Sequence, residues 1–206
     1  MLFCKNLSYS LNDKKILDHV PIEIPEGQIV ALMSSNGSGK TTLLRHLAGL
    51  QKSHSGSVFV DNLEFDPAIY PKVTMVMQEP NLYPHLTAEN NILLAAEKLN
   101  KFKELVEFFG IKDLLNKFPK ELSGGQKQIV SFVRAVILEP KYLILDEVTS
   151  ALDTHNIELI ESCLLMLKAR GIGIILSTHS FEFAKKVADR IHFLDSVKIV
   201  EFSNFG

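Results

Sequence analysis

The sequence predicts an α/β protein with a mainly parallel sheet, an N-terminal antiparallel β part and an inserted α-helical subdomain. Three observations carry that expectation. A Gly-rich turn, Asn36-Gly37-Ser38-Gly39-Lys40-Thr41-Thr42, lies between an apolar run from Ile29 to Met33 and a helix-forming segment from Leu43 to Leu50. Strand-like and helix-like segments alternate through the C-terminal third, which is the pattern of a parallel sheet covered by helices. Between these parts, from Thr87 to Phe118, apolar residues recur at helical spacing in a stretch rich in Ala, Leu, Lys, Glu and Asn.

Taken in order, the first third reads as strands and turns: Leu2 to Ser10, Ile22 to Ile24, then Gln28 to Met33 after the turn Pro25-Glu26-Gly27. Gly56 to Asn62 reads as a short hairpin element, and Val73 to Met77 as a compact apolar strand. Pro80, Pro84 and Pro119 punctuate the helical middle, and a further helix is expected from Gly125 to Leu138. Tyr142 to Leu145 is apolar on both faces, as in a central parallel strand. Helix 156–170, strand 173–176, helix 181–188 and strand 190–194 complete the alternation. The organisation expected is one domain, with a core lobe over 1–79 and 135–206 and a helical subdomain over about 80–134.

The chain has 206 residues, enough for one sizeable core. Its net charge of -2 gives no global attraction to nucleic acid, and no nucleic-acid partner is expected. Cys4 and Cys163 show no metal or redox spacing and read as free thiols. No signal-peptide pattern opens the chain, and no apolar run approaches the roughly 18 residues of a membrane span. A role at a membrane would therefore require docking onto another protein that spans it.

The Gly-rich turn sets the chemistry. A tight turn from strand to helix leaves successive N–H groups pointing into one concavity at the positive end of a helix dipole, which suits nucleotide phosphates. Residues 36–42 would line it, with Lys40 reaching the β- and γ-phosphates and the Thr41 hydroxyl ligating Mg²⁺. The pattern also places glycine at position 34, where this chain has Ser34. A second signal is Leu143-Ile144-Leu145-Asp146-Glu147, a buried strand ending in two carboxylates at the edge where α/β sheets hold ligands. Asp146 is suited to Mg²⁺, and Glu147 to orienting the water that attacks a γ-phosphate. A third is Leu122-Ser123-Gly124-Gly125-Gln126. Ser123 and Gln126 have the spacing of a capping box, whereas two glycines at a helix start make sense where backbone must approach an anion. Capping and ligand binding are compatible there.

With these elements in this order, the whole chain resembles the ATP-binding subunits of ABC transporters, which would give it a P-loop NTPase core. The resemblance implies further roles. Gln78 matches the Q-loop glutamine, which senses Mg²⁺ and the γ-phosphate and links the site to the membrane subunit. Ser150-Ala151-Leu152-Asp153 matches the D-loop, and His179 in Ser177-Thr178-His179 matches the switch histidine that contacts the γ-phosphate. Without the family, Gln78 and His179 read as ordinary polar residues at strand ends. In this family, Ser123, Gly124, Gly125 and Gln126 of one subunit face the phosphate loop of another, sandwiching ATP. Implied partners are a second copy or a paralogous ATPase subunit, transmembrane subunits, and a solute-binding protein acting through the transporter. The implied location is peripheral, on the cytoplasmic side of the inner (plasma) membrane.

The segment Gln78 to Thr87 resembles the corresponding region of importer ATPases for polar amino acids, and Asn81 to Leu86 would carry the groove for a membrane subunit's coupling helix. Alternatives are a small exporter-type ATPase, a degenerate ATP-binding partner subunit, and a soluble ABC ATPase of DNA repair or translation. Against the family pattern, Ser34 and Ser35 replace Gly and Pro, Leu11 stands near the position of the adenine-stacking aromatic, Val148 replaces Pro and Ile129 an arginine. Tyr9, two residues from Leu11, reads as a strand residue rather than the stacking platform.

Overall fold

The computed structural model describes residues 1–35, 37–66, 72–94, 99–195 and 198–202. In chain order its elements are β1 (Leu2–Leu11), β2 (Lys14–Ile24), β3 (Ile29–Met33), α1 (Lys40–Leu47), β4 (Ser55–Val60), β5 (Leu63–Glu64), β6 (Val73–Val76), α2 (Ala88–Leu93), α3 (Leu99–Phe108), α4 (Gly124–Val136), β7 (Tyr142–Asp146), α5 (Thr154–Ala169), β8 (Gly173–Ser177), α6 (Phe181–Val187), β9 (Arg190–Asp195) and β10 (Lys198–Phe202). The first sheet is antiparallel in the order β2-β1-β4-β5. The second runs β10-β9-β3-β8-β7-β6 and is parallel except for β10. The α/β expectation, with its antiparallel N-terminal part, holds.

Both hairpins of the first sheet turn through two residues with left-handed backbone, Asn12-Asp13 (φ 49° and 60°) and Asp61-Asn62 (φ 55° and 65°). That backbone matches the right-handed twist of the flanking strands, and Asn and Asp tolerate it because their short side chains bond locally. Three expectations are corrected. Strand β2 begins at Lys14 rather than Ile22, and α1 begins at Lys40 rather than Leu43. The helical middle is more broken than its periodicity implies: α2 spans six residues and α3 ten, followed by short 3₁₀ turns at Lys112–Leu114 and Pro119–Glu121. Strand β7, parallel to both β6 and β8, has all five of its residues buried, as its two-faced apolar run predicts.

Strand alternation divides the core between the two faces of the parallel sheet. Ile29, Ala31, Leu143, Leu145, Ile174 and Leu176 face one apolar cluster, together with the helical residues Ile92, Phe132 and Leu164. Val30, Leu32, Tyr142, Ile144 and Ile175 face the other, against Leu43, Leu44 and Leu47 of α1 and Leu2, Leu7 and Ile24 of the antiparallel sheet. A period of two thus yields three layers: helices, parallel sheet, then α1 with the antiparallel sheet. The sheets are also tied by charge. Lys141, just before β7, lies 2.9 Å from Asp61 and 3.0 Å from Glu26. Its ammonium holds the Asp61 carboxyl down at about 2. Cys4 and Cys163 are free and buried, and burial pushes both thiols up to about 12, which makes them unreactive packing residues.

Candidate nucleotide-binding site

The site forms at the carboxyl end of β3, where the chain turns directly into α1. Gly39 makes this turn with φ 100°, and a Cβ there would lie 2.9 Å from Ile16 Cγ2. Helix α1 then starts with no side-chain cap and no acidic residue in its first turn. Its first N–H groups therefore have no side-chain partner and point outward at the positive dipole end, an arrangement that favours anions. Residues 37–42 line a cleft of 540 Å³ together with Ile16, Gln78, Glu147 and His179. Asn36 lies outside the described residues.

Four side chains from four separate segments meet in this cleft. Lys40 is only 6% exposed, and its Nζ lies 3.6 Å from Glu147 Oε1 and 3.5 Å from His179 Nε2. His179 Nε2 lies 2.7 Å from Glu147 Oε1. A carboxylate can only accept, so His179 carries a proton on Nε2 and donates it to Glu147. Gln78 Nε2 approaches the other oxygen, Oε2, at 3.5 Å. Glu147 thus sits between two nitrogen donors and an ammonium, at the edge of a cleft shaped for phosphates. The sequence-predicted residues Lys40, Gln78, Glu147 and His179 are brought together.

Glu147 is held in an uncommon conformation, φ 47° immediately after β7. Such backbone costs a non-glycine residue about 1 kcal/mol or more and persists only where neighbours fix it. Here Ser177 fixes it. Its Oγ accepts from the Glu147 backbone N–H at 3.0 Å and donates to Asp146 Oδ1 at 2.7 Å. The sequence reading passed over Ser177 except as part of the Ser-Thr-His match. Its signal is the register of β7 against β8, which pairs Asp146 with Ser177. Asp146 itself is buried and does not line the cleft.

The remaining predicted residues lie elsewhere in this protomer. Ser123 and Gln126 form the expected capping box: Ser123 Oγ accepts from the Gln126 N–H at 3.2 Å, and Gln126 Oε1 accepts from the Ser123 N–H at 3.0 Å. Gly125 packs so closely on the Ala151-Leu152 segment that a Cβ would stand 3.0 Å from the Ala151 carbonyl oxygen. Asp153 caps α5 by accepting from the Asn156 N–H at 2.8 Å. None of Ser123, Gly124, Gly125, Gln126 or Asp153 lines the cleft. Tyr9 stacks on His54 and meets the edge of His46, with ring centroids 4.9 and 5.0 Å apart, whereas Leu11 is 55% exposed. Tyr9 is therefore a packed strand residue.

A second residue group escaped the sequence reading. Asn91 is fully buried, and its side chain bonds the backbone of Tyr83 twice, accepting from N–H at 2.7 Å and donating to the carbonyl at 3.1 Å, and also donates to the Leu86 and Thr87 carbonyls. It shapes the loop that presents Tyr83, which is half exposed beside Thr74, Met75, Asn81, Leu94 and Arg134 around a groove of 480 Å³. Among the described residues no helix is long and apolar enough to cross a membrane.

Comparison with known proteins agrees with this geometry. Residues 17–150 match the family described as ABC transporter. The chain is similar to the glutamine transport ATP-binding protein GlnQ of Geobacillus stearothermophilus, with 34% identity over 98% of this chain and 89% of the relative. It is similar at 34% identity to the glutamate/aspartate import ATP-binding protein GltL of Escherichia coli (strain K12), over 98% of this chain and 90% of that one. Among solved structures, a dimeric bacterial ABC transporter cassette superposes with a TM-score of 0.90 at 28% identity, covering 100% of both chains. A loop that offers helix N–H groups to phosphates, a carboxylate facing it and this likeness along nearly the whole chain converge: the chain belongs to the ABC transporter family, as an ATPase subunit with the P-loop NTPase fold.

Proposed function

We propose that this chain is the ATP-hydrolysing subunit of an importer for a small solute, a polar amino acid. The meeting of Lys40, Glu147, His179 and Gln78 at the uncapped start of α1 carries the reading. The relatives named for glutamine and glutamate/aspartate transport favour import over the exporter alternative. The intact Glu147–His179 pair favours hydrolysis over a degenerate partner. Residues 37–42 bind the phosphates through backbone N–H groups and Lys40, and Glu147 accepts a proton from the attacking water while His179 and Gln78 hold the carboxylate in place.

The residues also fit Mg²⁺. Among the described residues no three His, Cys, Asp or Glu side chains form a metal cage. An Mg²⁺ ion that arrives on nucleotide phosphates needs only a few further oxygens from protein. Thr41 and Gln78 line the cleft and would hold the ion, with the buried Asp146, one residue before Glu147 and bonded to Ser177 Oγ, supporting it from behind. Bound there, Mg²⁺ would supply charge neutralisation at the phosphates.

In our reading Ser123 to Gln126 and Asp153 complete the site of a second copy or a paralogous subunit, since they lie away from the cleft of their own chain. Closure would move a helical subdomain of about 80–134 against a core lobe of 1–79 and 135–206. Phe132 and Ile92 share one apolar cluster with Ile29 and Leu176, so that motion would be a tilt about a common core. The groove beside Tyr83 receives a transmembrane subunit, and through it the chain serves a solute-binding protein while remaining peripheral on the cytoplasmic face. Tyr83→Asp should abolish copurification with the membrane subunits while ATP binding persists, and undiminished copurification would reject the groove assignment. The function itself is tested by ATP turnover at rising protein concentration: turnover per subunit should climb as dimers form. A rate that is zero at every concentration, both alone and with the membrane subunits, would overturn the ATPase reading.

A further inference from the structure

The phosphate-loop pattern calls for glycine at position 34, yet Ser34 fits without strain because it is not among the described residues with left-handed backbone. Its hydroxyl is fully engaged. Lys40 Nζ donates to Ser34 Oγ at 3.0 Å, the shortest contact that the buried ammonium makes in the cleft. Ser34 Oγ donates to the Ser35 carbonyl at 2.9 Å and is paired with Ser38 Oγ. One hydroxyl has one proton to give and two lone pairs to accept with, so all three bonds form at once. The two serines and the lysine are thereby cross-linked across a loop that a glycine at 34 would leave open.

We propose that Ser34 is a positioning residue for nucleotide binding, acting through Lys40. Its hydroxyl staples the phosphate loop and holds the lysine ammonium, which also reaches the Ser34 carbonyl at 3.5 Å, between the loop and Glu147 of the cleft. A lysine side chain otherwise loses much rotamer freedom when it is immobilised by a ligand, and the staple incurs that loss in advance. The proposal rests on the ATP-binding reading above.

The test is calorimetric titration of the purified chain, Ser34→Ala, Ser34→Gly and Ser34→Thr with MgATP, together with amide hydrogen exchange over residues 37–42 without nucleotide. Loss of a hydrogen bond to a charged group should raise Kd for MgATP about tenfold in Ser34→Ala and Ser34→Gly. Ser34→Thr, which keeps the hydroxyl, should stay within about twofold of the parent. Exchange over 37–42 should quicken in the Ala and Gly variants alone, with the melting temperature unmoved. In a Lys40→Met background, Ser34→Ala should add no further loss, because the effect runs through the lysine. Binding as tight as the parent in Ser34→Ala and Ser34→Gly would overturn the proposal, and so would an additive loss in the Lys40→Met background. A parent that binds no MgATP would overturn the ATP-binding reading, and this one with it.

Discussion

Glu147→Gln should bind ATP at least as well as the parent and turn it over at least about a hundredfold more slowly, accumulating as an ATP-bound dimer. The substitution keeps shape. The His179 Nε2–H, now 2.7 Å from Oε1, can still donate to an amide oxygen, so the cleft should not collapse. What is lost is basicity: a neutral amide cannot take a proton from water. The change also removes a negative charge 3.6 Å from Lys40, leaving that ammonium more available to phosphate. Single-turnover hydrolysis and gel filtration with MgATP check both halves. A variant that hydrolyses at the parent's rate would remove Glu147 from the mechanism.

Phe132→Ala should lower folding stability by about 3–5 kcal/mol, a large share of the roughly 5–15 kcal/mol that holds a typical domain together. Phe132 is fully buried on α4, beneath the parallel sheet, and its ring meets Phe109 edge-on at 5.7 Å between centroids. Truncation would leave a cavity between α3, α4 and the sheet that these rigid neighbours can fill only in part. The midpoint of urea unfolding reports the effect, and an unchanged midpoint would show that this contact does not organise the core. Because Ser123 caps α4, the same cavity should also loosen the segment from Ser123 to Gln126.

Much of this was legible because it is local. The capping box at Ser123 and Gln126 closes over three residues, and the turn through Gly37 to Gly39 sits between a strand and a helix whose patterns announce it. The errors have equally local causes. Helix α1 begins on Lys40-Thr41-Thr42, where β-branched threonines weaken the helical signal and leucines begin only at position 43. Strand β2 is longer than it reads because Asp18 and His19 interrupt its alternation, with His19 in left-handed backbone opposite an irregular stretch of β1. Ser177, Asn91 and the role of Ser34, which was read only as a departure from glycine, escaped for another reason. Each is a small polar residue whose importance lies in a bond to a partner fixed by the fold: Asp146 from the neighbouring strand, the Tyr83 backbone eight residues away, and Lys40 across the turn. Lys40 and Glu147 were read from their own motifs, whereas Gln78 and His179 joined the site only through family resemblance, since single polar residues at strand ends carry no periodicity.

The uncapped start of α1 reaches beyond chemistry. A helix of eight residues whose first N–H groups lack a side-chain partner is marginal alone, so a phosphate bound there stabilises the fold as well as the complex. Ligand at a hundred times its dissociation constant adds about 2.7 kcal/mol to a native state. A change of that size alters how often a protein opens to proteases. The lifetime of this subunit in a cell would then follow the nucleotide supply.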